Sequence, residues 1–519
     1  MKMMLVNMYW SLYISERLLL SISILIISTG IVVCYAIFFG DTYFSYGSTS
    51  MESNQTEVEE KPYLTDQNLK VELVVEGLKR PTSMAFLGQN DFLVLEKNSG
   101  IVKRIVNGNI LVQPVLDVAV ANEKERGMLG IAVQLGNVHN DDHKENKKVS
   151  ATKTDSTYVF LYYTESSGKD GNDDCPLINS CEEGTEPKGN RLYRYSLHDG
   201  KLVNPELLLD LPATPGSDHI GGSLIIGPDS DIYLSSGDGH SCSYGSCDNG
   251  TKNTVLNSKS ANEHDGEEPN GRGGILRITQ DGLPVYEKGK NGILGEGDPL
   301  NKYYAYGIRN SFGIDFDPLT GQLWDTENGP AFGDEINLVK PGFNSGWSKL
   351  QGIWPITNYT LLLPQGIVPP YRGYFENDLN QFTQSADSEQ EKLVDFDGKG
   401  IYSDPEFIWN ISVGVTALKF FNSDKLGRTY ENDMFVGDYS LGRLYHFDLN
   451  ADRTKLALSG SLVDKIAESS VREDLEQIIF GEGFDAVTDI EVGPDGYLYV
   501  ISHKDGKIFK IVSVNNIDH

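Results

Sequence analysis

At 519 residues the chain can bury a large core, so it needs no metal or disulfide merely to fold. Glycine (54) and tyrosine (26) are abundant and turn dipeptides recur throughout, a composition of many short strands rather than long helices. A formal charge of −30 makes a surface that repels phosphate backbones, which argues against nucleic-acid binding.

In chain order, the first predicted element is apolar. Residues 18–39 read LLLSISILIISTGIVVCYAIFF, a stretch without a charge and, at about 22 residues, long enough to cross a bilayer as a helix. Lys2 and Arg17 precede it and Asp41 follows, so the positive-inside rule leaves residues 1–17 in the cytoplasm and everything after residue 40 outside. A cleaved signal peptide would have a shorter apolar region ending in small residues, whereas this one ends in Ile37, Phe38 and Phe39. The expectation is an uncleaved, single-pass anchor in the cell membrane. Residues 40–69 are polar and mostly non-periodic, and are expected to form an extracytoplasmic tether. Cys34 lies in the apolar segment. The other cysteines form two close pairs, Cys175/Cys181 and Cys242/Cys247, in polar insertions, and are expected to close as loop disulfides outside the cell. Sequons at Asn54, Asn249, Asn358 and Asn410 permit glycosylation there.

From residue 70 to 513 one pattern repeats, with three short strands separated by turns. The copies are PTSMAF, FLVLE and GIVKRI (from residue 81); LGIAV, YVFLYY and RLYRY (from 129); and GSLIIGPD, DIYLSSGD and GILRI (from 222). Then come SFGIDFD, GQLWDTE and DEINL (from 311); VTALKF, DMFVGD and GRLYHF (from 415); and VTDIEVGPDG, YLYVIS and GKIFKI (from 487). Each unit is a small antiparallel sheet that cannot bury its own faces, and radial stacking solves that. The expected fold is all-β, a six-bladed β-propeller preceded by one transmembrane helix. Polar insertions near 136–156, 165–190, 240–272 and 350–405 become loops on its faces, where sites are built.

A propeller alone does not define a function. Polar residues at the strand starts converge on the axis, and three clusters stand out there: His219 with Gly221 and Gly222, Arg309 with Asn310, and Glu327 to Pro330 followed by Asp334 and Glu335. The strings HIGGSLIIGPDSDIYLSSGD, YGIRNSFGIDFDP and ENGPAFGDEINLVKPGFNSGW resemble signature segments of the soluble-type sugar dehydrogenases that use pyrroloquinoline quinone (PQQ), the glucose, aldose and sorbosone dehydrogenase propellers. The resemblance covers nearly the whole repeat region.

It implies a six-bladed propeller carrying PQQ and calcium and acting on an aldose. His219 matches the family's catalytic base and Asp238 its supporting acid. That pairing makes chemical sense, because a neutral imidazole can take the C1 hydroxyl proton of a sugar while a carboxylate holds its tautomer. Arg309 and Asn310 match cofactor contacts. Gly329 and Pro330 match the backbone carbonyls that hold the cofactor's calcium, and Glu335 matches a carboxylate of a second, structural calcium site. Calcium prefers such hard oxygen ligands. Where the family carries Gln, this chain has Glu125; where its tightest cofactor binders place a Lys and two Arg, it has Ser440, Ala486 and Thr488. Arg443 is the nearby candidate to compensate. The resemblance thus implies oxidation of an aldose at C1 to a lactone, with the electrons leaving to a membrane or soluble acceptor. Two alternatives are a non-catalytic binding propeller, like the Hedgehog-interacting branch, and a calcium-dependent lactonase. The latter would want several carboxylate and Asn side chains converging on one ion.

Overall fold

The computed structural model describes residues 61–136, 156–167, 186–239, 256–287, 290–330, 332–355, 390, 392–468 and 475–514. The apolar segment 18–39, all five cysteines and the sequons at Asn54, Asn249 and Asn358 lie outside the described residues. Among the described residues no helix is long and apolar enough to cross a membrane.

The middle strand of each repeat shows why the sheets stack. In Asp91–Glu96, successive side chains point to opposite faces, yet all but the first residue are buried. Phe92 and Val94 face one neighbouring sheet, packing with Tyr499 and Ile501. Leu93 and Leu95 face the other, packing with Ile131, Val159 and Leu161. A strand apolar on both faces must lie between two sheets, and this holds around the molecule.

Among the described residues, six sheets of four to six strands result, beside two small two-stranded ones. Sheet one is built on Pro81–Gly88, Asp91–Glu96 and Ile101–Val106; sheet two on Met128–Gln134, Tyr158–Ser166, Pro187–His198 and Lys201–Leu211. Sheet three begins with Leu224–Ile226, Ile232–Ser236, Gly274–Ile278 and Tyr303–Tyr306, and sheet four with Ser311–Phe316, Leu323–Glu327, Asp334–Val339 and Phe407–Trp409. Sheet five holds Val415–Phe420, Met434–Asp438, Leu444–Phe447 and Ile479–Glu482; sheet six holds Val487–Val492, Leu498–Ser502 and Lys507–Ser513. First strands of consecutive sheets pack on one another, and the last packs on the first, so the ring closes. A separate apolar core fills each gap between neighbours, from the one joining Met84, Phe92 and Ile508 to the one joining Trp324, Val415 and Tyr445. The fold is an all-β propeller.

The chain's early residues correct one expectation. Leu69–Glu76 is the outer strand of sheet six, antiparallel to Lys507–Ser513, and Tyr63–Leu64 pairs with Gly481 and Glu482 of sheet five. The end of the tether read over 40–69 is therefore strand. Its polarity misled because an outer strand is half exposed, whereas the edges of sheets five and six need backbone partners. Asn410 is corrected too: it is 4% exposed, so that sequon offers no accessible amide.

Where the last sheet meets the first, Gly506 takes φ +65°, and a Cβ there would lie 2.0 Å from the Leu78 carbonyl. Gly506→Ala is expected to cost about 1–3 kcal/mol, read as a lowered denaturation midpoint. Gly88→Ala, with nothing within 4 Å of its Cβ position, should leave the midpoint nearly unmoved.

Candidate active site

Hydrogen bonds draw His219, Asp238, Arg309, Asn310 and Glu125 together. His219 sits just before sheet three at φ +56°, a left-handed conformation that costs a non-glycine residue roughly 1–2 kcal/mol. The fold holds it there: its carbonyl accepts the Gly239 N–H at 3.1 Å, and Gly221 and Gly222 follow at φ +68° and +117°. A Cβ on Gly237 would lie 2.3 Å from the His219 carbonyl oxygen, so only glycine permits this approach.

The imidazole is buried, and its Nδ1 lies 2.7 Å from Asp238 Oδ1. The other carboxylate oxygen, Oδ2, accepts the Trp347 indole N–H at 2.8 Å. On the far side of the ring, Arg309 Nη2 lies 2.8 Å from His219 Nε2. A guanidinium can only donate, so Nε2 accepts, and the ring proton sits on Nδ1 pointing at Asp238. This is the tautomer in which Nε2 carries a lone pair, as a general base requires.

Arg309 is 5% exposed. Its Nη1 donates to the carbonyls of Asn328 (2.7 Å) and Gly329 (2.9 Å), and its guanidinium lies 5.4 Å from the centre of the Trp347 ring. Its Nε is buried without a hydrogen-bond partner among the described residues, a donor left for a ligand. Asn310 accepts the Gly221 N–H through Oδ1 and donates to Glu125 Oε2 at 3.2 Å. Glu125 also accepts the Ile220 N–H. Its charge is thus drawn into the seam between sheets two, three and four.

The turn after the second strand of sheet four is clamped by Asp334. Its carboxylate accepts from the backbone N–H of Gly329, Val413 and Gly414 and from the Ser412 hydroxyl, at 2.7–2.8 Å. Gly329 and Pro330 are therefore fixed at the mouth, with the Gly329 carbonyl beside Arg309. Glu335 is elsewhere: fully enclosed beneath the turn, it accepts from Gln351, the Gly352 N–H and Ser345. Asp325 and Glu327 lie near it, and burial first of all raises the pKa of each of the three. Both Asp325 oxygens lack a hydrogen-bond partner among the described residues.

The remaining expected contacts are not drawn together in this way. Ser440 is exposed on the loop of sheet five. Ala486 is fully buried, and the Thr488 hydroxyl bonds the Pro81 carbonyl. Arg443 has its Nε paired with Glu482 at 2.9 Å. Sequence reasoning missed Trp347 as the second holder of Asp238, although it ends the NSGW string. It also missed a basic rim from sheets one and six, made of Arg80, Lys97 and Lys504 around His503.

His503 in that rim is 6% exposed, with Nδ1 2.9 Å from the Pro81 carbonyl. Burial first, then Lys97, Arg80 and Lys504, outweigh the Pro81 bond and lower its pKa from 6.5 to about 4. Because the unfolded chain binds this proton more readily, stability is whole above about pH 6.5 and falls as pH drops towards 4. The slope across that window is at most about 1.4 kcal/mol per pH unit. His503→Gln is expected to flatten the loss of stability there, measured by denaturation at each pH.

The arrangement is a propeller with a histidine–carboxylate pair, a buried arginine and a clamped carbonyl turn at one axial mouth. A family model, glucose / sorbosone dehydrogenase, matches residues 78–358, and the chain belongs to that family. An aldose sugar dehydrogenase of Escherichia coli is 23% identical over 447 residues, 85% of this chain and 92% of the relative. A quinoprotein glucose dehydrogenase of Acinetobacter calcoaceticus is 26% identical over 294 residues, covering 55% of this chain and 54% of the relative. Among solved structures, the apo-form of the soluble E. coli aldose sugar dehydrogenase covers 86% of this chain and 99% of its own at 20% identity and TM-score 0.55. The PQQ-bound aldose sugar dehydrogenase of Streptomyces coelicolor covers 87% and 99% at 19% identity and TM-score 0.50.

Proposed function

We propose that this chain is an extracytoplasmic, PQQ-dependent aldose dehydrogenase. Each of the six larger sheets is read as one blade, with residues 18–39 as the membrane anchor, the following segment as its tether and the propeller outside the cell. The observation that carries the reading is the Asp238–His219–Arg309 chain, which leaves the imidazole Nε2 unprotonated at the mouth. Family membership and the quinoprotein relative support the cofactor.

The residues fit the quinone. Arg309 offers a buried unpaired Nε–H beside the base, and a guanidinium suits the oxygens of a quinone. Asn310 and Glu125 lie next to it. The carbonyls of Gly329 and Pro330 would hold the cofactor's calcium, and Glu335 a structural one. When bound, PQQ supplies the hydride acceptor and calcium the Lewis acidity that polarises it.

The protein's part is proton handling and orientation. The C1 hydroxyl of the sugar replaces the Arg309 Nη2–H at His219 Nε2 and gives its proton there. Asp238 accepts the Nδ1–H throughout and stabilises the imidazolium that forms. Trp347 keeps Asp238 from rotating. Loss of hydride from C1 and of the hydroxyl proton leaves a lactone. The test is dye reduction by the purified full-length chain with calcium, across several aldoses, with and without added PQQ. Aldose-dependent reduction that requires PQQ is expected; none with PQQ present, or equal rates without it, would contradict the proposal.

A further inference from the structure

The positions that carry cations in the family's tightest cofactor binders are Ser440, Ala486 and Thr488 here. PQQ bears three carboxylates, and those charges need partners. Contacts around the axis lead from each altered position to a basic residue. The Thr488 hydroxyl bonds the carbonyl of Pro81, directly after Arg80. The Ala486 carbonyl accepts the N–H of His503, directly before Lys504. Tyr439, directly before Ser440, lies with its ring under the Lys504 ammonium at 4.8 Å and beside the His503 ring at 5.8 Å.

We infer that the carboxylates of the bound quinone are held by Arg80 and Lys504, from the first and sixth sheets, so that the family's cations are relocated rather than lost. The inference rests on the quinone reading above. Arg80 is half-buried, at φ +50° at the start of sheet one, and its guanidinium has no hydrogen bond or ion pair among the described residues. Lys504 is 42% exposed and, besides the Tyr439 ring, has a loose 3.7 Å approach to Asp485. Both can turn to a ligand.

Lys97 plays a different part. Its ammonium is filled by Asn98 Oδ1 and the carbonyls of Asn122 and Lys124, and Gly127 packs so closely that a Cβ there would meet its Cγ at 2.8 Å. Burial lowers its pKa to about 8, opposed by the neighbouring Glu125 carboxylate. Lys97 is thus held by its own surroundings rather than offered to a ligand. That leaves Arg80 and Lys504 as the rim cations offered to a ligand, with Asp485 the acid beside Lys504. Charge-assisted hydrogen bonds to carboxylates are the strong ones.

The test is PQQ binding to the full-length chain with calcium, followed by fluorescence quenching so that no turnover is needed. Arg80→Gln and Lys504→Gln should each raise the apparent Kd by about 10-fold or more, and the pair should do so further. The salt dependence of binding should flatten in both, and Arg80→Lys should restore part of the affinity. The trimethyl ester of PQQ should bind the wild type more weakly than the acid, and that preference should vanish in the double variant. Lys70→Gln, on an exposed pair with Glu72, serves as the control, and melting curves confirm that each variant is folded. If the wild type binds PQQ and folded double variants bind it equally well, the relocation is wrong while the dehydrogenase reading stands. If the wild type takes up no PQQ, both fall.

Discussion

Replacing His219 with glutamine is expected to lower kcat by about 10²- to 10⁴-fold, the range for losing a positioned general base. PQQ affinity should change far less. The glutamine amide nearly matches the imidazole in size, so the buried site stays filled, but it offers no basic nitrogen to take the C1 hydroxyl proton. Arg309 would keep its bonds to the Asn328 and Gly329 carbonyls, so the turn should hold its place. Steady-state dye reduction at saturating PQQ gives kcat, and quenching by PQQ gives affinity. A parallel fall in both would assign His219 to binding instead.

Asp238→Asn is expected to approach the same loss, on the order of 10²-fold or more, without unfolding the protein. The reason lies in donor and acceptor counts. His219 Nδ1–H and Trp347 Nε1–H both donate to this one carboxylate, at 2.7 Å and 2.8 Å. A carboxylate offers two acceptor oxygens; an amide offers one oxygen and an NH2 group. If the oxygen stays with Trp347, the NH2 faces Nδ1 and forces the ring proton onto Nε2, where it collides with the Arg309 donor and cannot act as a base. If the oxygen turns to His219, the indole N–H loses its acceptor in a buried site, which costs about 1–3 kcal/mol. Either way Nε2 is misprepared or Asp238's support is lost. The pH profile of kcat distinguishes this from simple loosening: a tautomer defect lowers the plateau, whereas Trp347→Phe, which leaves the carboxylate intact, should cost less and keep the profile's shape.

Much of the fold was legible because each middle strand is apolar on both faces. A string such as FLVLE or IYLSS must lie between two layers, and repeating such strings along the chain gives stacked sheets, an all-β propeller. The outer strands were not legible. Leu69–Glu76 alternates weakly and is largely exposed on one side, and its partner Lys507–Ser513 lies at the other end of the chain. No local pattern reports a pairing across that distance.

The site divided in the same way. His219, Asp238, Arg309 and Asn310 stand in long strings whose glycines the backbone demands, and they meet in space. Trp347 was hidden because a buried tryptophan usually reads as core, whereas here its 2.8 Å bond to Asp238 and the Arg309 guanidinium beside its ring give it another part. The basic rim was invisible for a different reason. Arg80 and Lys504 stand beside other charged residues, Lys79 and Asp505, in short connections where charged side chains are commonly solvated. Only ring closure, through the Pro81 carbonyl shared by Thr488 and His503, sets them side by side.

The claim on which everything depends is that one imidazole nitrogen removes a sugar proton while hydride leaves the neighbouring carbon. Single-turnover absorbance of the PQQ-loaded chain, mixed with an aldose and with the same aldose deuterated at C1, tests it most directly. Reduction of the bound quinone should be slowed by the deuterium and abolished on this timescale in His219→Gln. Reduction at equal rates with both sugars, or at the wild-type rate in the variant, would contradict the account.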